Sequence, residues 1–212
     1  MDSVVMAHKS HELKHFHKMN EEYYMITSNN LTATTAAKEQ EMIMTRVFNV
    51  PPEFIFKAYI DPNFIPQWWG PKRLTTTVVK MDVRPGGIWR FILRESDGNE
   101  YIFKGMYHEI VPPKLLVYTF EFEGMPGHVT VETVTFEKER DGKTKLTSKS
   151  LFETVEDRDI MLNLRVGGGA AESMDRLSGL LKYLKYIRKG QYDCPMHWWD
   201  QKQKIQEKRF NE

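Results

Sequence analysis

Hydrophobic and polar positions follow two rhythms in this chain, a two-residue alternation and a three-to-four-residue spacing, and their order predicts the elements. "MIMTRVFNV" (residues 42–50) has the apolar and β-branched content of a strand, and Pro51 and Pro52 stop it. In "PPEFIFKAYIDPNFIPQWWG" the proline pair suits a first helical turn, and Phe54, Ile55, Ala58 and Tyr59 recur at helical spacing. Asp61 and Pro62 then break that helix ahead of a second short one ending near Trp69.

Six strand-like segments follow, from "LTTTVVKMDVR" to "TKLTSKSLF", separated by "PGG", "SDGNE", "PPK", "GMPG" and "RDGK". Turns that short leave no room for crossover helices, so the segments form an antiparallel meander. Alternation assigns the faces. Trp89, Phe91 and Leu93 share one face against Arg90, Ile92 and Arg94, and the two arginines are expected to pair with Glu121 or Glu123 across the sheet. Tyr101, Phe103 and Tyr107 oppose Lys104 and His108, and Leu116, Tyr118, Phe120 and Phe122 oppose Thr119, Glu121 and Glu123. In "VEDRDIMLNLRVGGGAAESMDRLSGLLKYLKYIRK" the spacing becomes helical, with Met174, Leu177, Leu180, Leu181, Leu184 and Ile187 on one stripe. Gly167, Gly168 and Gly169 predict a break between a short helix and a long one. The long helix is the element with enough apolar surface to cover the aromatic face.

The ends differ in texture. Residues 1–24 are polar and His-bearing and show no core pattern, and the small polar stretch up to residue 41 reads as a connector with at most one edge strand. The expected division is an N-terminal extension (1–24), one α+β domain (25–188) and a basic, Trp-containing tail (189–212). That tail carries Trp198 and Trp199, an aromatic pair suited to packing on the domain or on a second subunit, so a homodimer is among the expected assemblies.

Composition narrows the partners. With 212 residues and a formal net charge of +1, the chain offers no electrostatic reason to expect nucleic acid or an anionic membrane. Its lone cysteine, Cys194, allows no internal disulfide, and neither a signal-peptide pattern nor a membrane-length apolar run is present, so a cytoplasmic location is expected. No glycine-rich phosphate loop stands in its strand-to-helix context and no Ser-His-Asp or Cys-His order stands out, so no cofactor is expected. His8, His11 and His15 fall on one face if their segment is helical, a weak metal candidate without Cys or paired carboxylates beside it.

Several stretches carry a family resemblance. "NVPPEFIFKAYIDPNFIPQWWGPKRLTTTVVKMDVRPGGIWRF", "DGNEYIFKGMYHEIVPPKLLVYTFEFEGMPGHVTVETVTFEK" and "VEDRDIMLNLRVGGGAAESMDRLSGLL" together resemble the activator of heat-shock-protein-90 ATPase-like family. That family belongs to the START-like, Bet v 1-like or helix-grip superfamily, also called SRPBCC, and the match covers roughly residues 32–186. The resemblance implies a curved antiparallel sheet gripping the long C-terminal helix, two short helices after the first strand, and a cavity between sheet and helix. Many members have Gly-Trp-x-Glu-Ser ahead of the long helix, whereas this chain has Gly169, Ala170, Ala171, Glu172 and Ser173, so a bulky ring is missing at Ala170 and the cavity would be larger.

Such a cavity would be lined from the sheet by Trp89, Phe91, Tyr101, Phe103, Tyr107, Tyr118 and Phe120, and from the helices by Met161, Leu164, Ala170, Met174 and Leu177. These residues equally suit a filled core. Glu132 shares a face of "HVTVETVTFE" with His128, Thr130, Val134 and Phe136; pointing inward it would be a candidate acid or base, with Tyr107 beside it, and the opposite register would put Val129, Val131 and Thr133 inside. The expected function is binding of a hydrophobic or amphipathic small molecule. Two alternatives remain: a co-chaperone-like module acting on a heat-shock ATPase, and a cyclase or hydrolase using a polar cavity residue. Trp68 and Trp69, ahead of Gly70 and Pro71, are expected to wedge the helical corner against the sheet.

Overall fold

The structure, a computed structural model, describes residues 15–20, 23–28, 31–36, 39–166 and 169–188. Alternating side chains build its strands. In β4 (Glu41–Phe48) Met42, Met44, Arg46 and Phe48 are buried and their neighbours are not. The same alternation runs through β9 (Thr130–Lys138) and β10 (Thr144–Leu151), which bury Thr130, Glu132, Val134 and Phe136, and Thr144, Leu146, Ser148 and Ser150. Between them lie β5 (Thr75–Met81), β6 (Ile88–Arg94), β7 (Glu100–Val111) and β8 (Leu115–Phe122), the remaining strands of the predicted meander.

All neighbours pair antiparallel, and the ten-stranded sheet has the order β1-β2-β3-β4-β10-β9-β8-β7-β6-β5. The first strand of the meander therefore lies at one margin, and the last returns beside β4. Register shifts between Val78 and Lys80 and between Tyr107 and Glu109 are bulges that bend the sheet. The segment read as an extension and connector differs from expectation: β1 (His15–Asn20), β2 (Tyr23–Ser28) and β3 (Leu31–Ala36) pair in series and join β4. Its polar, weakly alternating sequence hides strands whose pairing is made by backbone groups.

The helices fill the concave side. α1 (Pro52–Ile60) opens on Pro51 and Pro52 and ends at Asp61, whose carboxylate accepts from the Asn63 backbone (2.9 Å) and pairs with Lys57 (3.0 Å). α2 (Ile65–Trp68) is a single turn. α3 (Val155–Val166) starts at Thr154, whose hydroxyl accepts from the Asp157 backbone (3.0 Å) in a capping turn. α4 (Gly169–Arg188) buries Met174, Leu177, Leu180 and Leu181 against α1, α2 and the strands, as the helical stripe predicts. A curved sheet wrapped around a long C-terminal helix is the helix-grip fold. No helix among the described residues is long and apolar enough to cross a membrane.

Candidate functional site

The turn after α2 sets one wall of the site. Gly70 has φ +89°, and a Cβ there would meet Leu93 Cδ2 at 2.6 Å, so the reversal requires glycine. The two tryptophans divide the work. Trp68 is buried, stacks 4.7 Å from Tyr59 and donates Nε1–H to the Ala58 carbonyl (3.0 Å), which makes it the expected wedge. Trp69 instead turns its ring edge-on to Phe91 (5.2 Å) and Phe103 (5.3 Å) on the inner face of the sheet.

The first turns of α4 hold this reversal through its backbone. Ser173 Oγ accepts from Gly70 N (3.1 Å) and donates to the Gly169 carbonyl (2.7 Å), and Glu172 accepts from Lys72 N (3.0 Å). Arg176 donates to the carbonyls of Pro66 (2.9 Å) and Gly70 (2.8 Å). Side chains of one helix thus hold the backbone of the loop that carries Trp69.

Between this loop, α3, the start of α4 and strands β6–β9 lies a cavity of about 400 Å³. Its sheet side is formed by Tyr101, Phe103, Tyr118 and Phe120, and its helical side includes Met161, Ala170 and Met174. No ring occupies position 170, and Trp69, Phe122 and Met125 complete the apolar wall. Trp89, Phe91, Tyr107 and Leu177 lie instead in the packed core: the first three surround a separate void of about 30 Å³ beside this cavity, and Leu177 is fully buried. Burial pushes the Tyr107 phenol well above the ordinary tyrosine range. The side chain of Leu164, the whole of His8 and His11, the imidazole of His15, and Trp198 and Trp199 lie outside the described residues.

Glu132 faces inward and is 3% exposed. It receives hydrogen bonds from two hydroxyls of the adjacent strand, Ser148 Oγ at 3.0 Å and Ser150 Oγ at 2.7 Å, and it lines the cavity. The opposite register fails because β10 offers those two serines on its inner face at the level of Glu132 and Val134. Alternating serines in "TKLTSKSLF" were the available signal. Like Phe152 and Ile160, Tyr59, reaching in from α1, is a cavity residue that strand alternation could not have found. Burial first, and the Glu132 charge second, push its phenol well above the ordinary range.

A second polar group stands where the cavity meets solvent. His128 Nδ1 and Asp157 Oδ1 are 2.6 Å apart, and Thr154 Oγ1 donates to Asp157 Oδ2 (2.8 Å). Hydrogen bonds from Thr154 and then His128 hold the Asp157 carboxyl below its ordinary range. Around the outer face Arg90 pairs with Glu123 at 2.8 Å, as expected, whereas Arg94 pairs with Glu100 of the adjacent strand and Glu121 is taken by Lys104 at 3.3 Å. Among the described residues no three His, Cys, Asp or Glu side chains assemble as a metal site.

Comparison with known proteins bears on the fold and the family. No curated protein matches the chain. A solved protein of Mycobacterium smegmatis is 26% identical over 67% of this chain and 90% of its own, with a TM-score of 0.61. One from Rhodobacter sphaeroides is 20% identical over 76% of this chain and 99% of its own, with a TM-score of 0.64. The AHSA1 protein of Silicibacter pomeroyi is 22% identical over 68% and 98%, with a TM-score of 0.56. The family model described as "Activator of Hsp90 ATPase homolog 1-like protein" matches residues 49–182, from the end of β4 through most of α4, and so takes in the residues that line the cavity except Met44 of β4. This chain belongs to that family of activator of Hsp90 ATPase homolog 1-like proteins.

Proposed function

We propose that this protein binds a hydrophobic or amphipathic small molecule in the cavity between β6–β9, α3 and the start of α4. The observation that carries the reading is the void itself: about 400 Å³ stays open among Phe103, Phe120, Phe122, Trp69 and Met174, side chains large enough to fill a core. An aromatic and thioether lining suits an apolar body of small-molecule size. The Glu132 cluster at the inner end and the His128–Asp157 pair at the outer end supply polar groups that would orient it.

Native mass spectrometry of the full chain, followed by denaturation and identification of any released compound, tests the reading directly. An apolar compound retained after purification, or a melting temperature that rises with added naphthalene-sized probes, is the expected result. Saturation at a hundredfold above Kd corresponds to about 2.7 kcal/mol of stabilisation. A bare protein whose melting temperature no apolar probe moves would overturn it.

A further inference from the structure

The outer end of the cavity holds a ring nitrogen that the protein does not use. His128 closes the turn between β8 and β9, Asp157 lies 29 residues later in the first turn of α3, and both side chains line the cavity. Gly127, at φ +88° and with its N–H on Glu121 (3.2 Å), sets the turn just ahead of the imidazole. The bonds between Thr154 and Asp157 are those of a capping turn, which accounts for the aspartate and leaves the histidine unexplained.

Asp157 is engaged on both oxygens, Oδ2 by the Thr154 hydroxyl and Oδ1 by His128 Nδ1. Those bonds favour the ionised carboxylate, which only accepts, so Nδ1 carries the proton and the ring is held in one tautomer. Nε2 makes no hydrogen bond among the described residues, and the side chain is 50% exposed. At the inner end, by contrast, Glu132 is held by Ser148 and Ser150 and has a further interaction besides, so the fold satisfies it without a ligand.

The free nitrogen selects the ligand group. A neutral ring offers a lone pair at Nε2 and a protonated ring offers an N–H. A hydroxyl answers both forms, because its proton meets the lone pair and its oxygen meets the N–H. An ether answers the protonated form alone, and a hydrocarbon answers neither. A carboxylate also answers only the protonated form, and it brings a second negative charge beside Asp157.

Resting on the ligand-binding reading, we propose that the ligand lies with its apolar body inward, among Phe103, Phe120 and Met161, and keeps a hydroxyl at the mouth, where His128 Nε2 holds it. The class is a hydroxylated apolar compound, an alcohol or a phenol, and His128 selects it over the parent hydrocarbon. Asp157 is a positioning residue that acts through the ring it orients.

The test uses the full chain with naphthalene, 2-methoxynaphthalene, 2-naphthol and 2-naphthoate, titrated by calorimetry. Long-range proton–nitrogen spectra of the imidazoles accompany it, the His128 signals being assigned by their loss in His128→Phe. The wild type is expected to bind 2-naphthol about tenfold more tightly than naphthalene, its methyl ether or 2-naphthoate, and 2-naphthol but not naphthalene should move the His128 Nε2 resonance. His128→Phe keeps a ring in the wall and is expected to bring 2-naphthol to within about twofold of naphthalene. Asp157→Asn should release the second tautomer of His128 in the spectra and reduce the preference to about threefold. Glu132→Gln, checked for an unaltered fold by circular dichroism, should leave the preference as it is. Equal binding of 2-naphthol and naphthalene, or a 2-naphthol preference that survives in His128→Phe or is lost in Glu132→Gln, overturns the inference and leaves the cavity reading standing. Failure of every probe to bind removes both.

Discussion

Replacing Arg176 by methionine separates the clamp on the α2 reversal from the packing beneath it. Methionine keeps an apolar stem along α4 and deletes the two short bonds to the Pro66 and Gly70 carbonyls. Hydrogen bonds to a charged donor contribute about 1.5–3 kcal/mol each. Because the site is half-buried and water recovers part of what is lost, the expected cost sits near the lower end, about 3 kcal/mol for the pair. Lysine offers a compact ammonium in place of the fork and holds one carbonyl, so Arg176→Lys should lose about half as much. Urea unfolding reports both, as a lower midpoint at unchanged slope, and the methionine variant should melt about 6–12 °C below the wild type. Since the clamped loop carries Trp69 and Pro71 into the cavity wall, affinity for a naphthalene-sized apolar probe should fall with it. A methionine variant within 1 kcal/mol of wild type, or one indistinguishable from lysine, would refute the clamp.

Other expectations concern single positions. A Cβ at Gly105 would lie 1.8 Å from the Thr119 carbonyl oxygen, so Gly105→Ala must part β7 from β8 and should cost at least about 2–3 kcal/mol by urea unfolding. Ala170→Trp puts a ring into the cavity wall and should weaken naphthalene binding by tenfold or more, with a melting temperature no lower than wild type. Asp157 has a folded-state pKa below its unfolded one, so its contribution is present above an unfolded value of about 3.9 and is lost as pH falls through the folded value. The stability gap between wild type and Asp157→Asn, measured by urea unfolding, should therefore narrow as pH falls from about 5 into the acid range.

Period and punctuation made the meander, the helical corner and the α4 stripe legible, because each is amphipathic. Trp89, Phe91 and Leu93 alternate in sequence and are buried in the structure; Met174, Leu177 and Leu181 recur and are buried likewise. Alternation names a face, but it does not say which inward residues border empty space. Phe91 and Phe103 both point inward on paired strands, yet Phe103 fronts the cavity and Phe91 packs behind it under Trp69. Glu132 was ambiguous for a related reason: its burial depends on hydroxyls supplied by a neighbouring strand, a pairing that one strand's pattern does not contain. Tyr59 sits on a helix whose whole stripe looks like core, and its role comes from where α1 crosses β9.

The three strands ahead of β4 bear on how such a domain can grow. Without them β4 would be the sheet's terminal strand, with one row of amides and carbonyls open to any passing chain. Here the polypeptide occupies that row with its own β3, and the margin moves outward by three strand spacings, about 14 Å. The family match begins at residue 49, so this three-stranded ribbon lies outside it, as β4 does. It joins β4, the strand beside β10, at the opposite end of the sheet order from β5, and Met44 of that strand is one of the residues lining the cavity. A sheet margin that accepts further strands by backbone pairing alone lets a chain lengthen there while the pairing of the meander stays as it is.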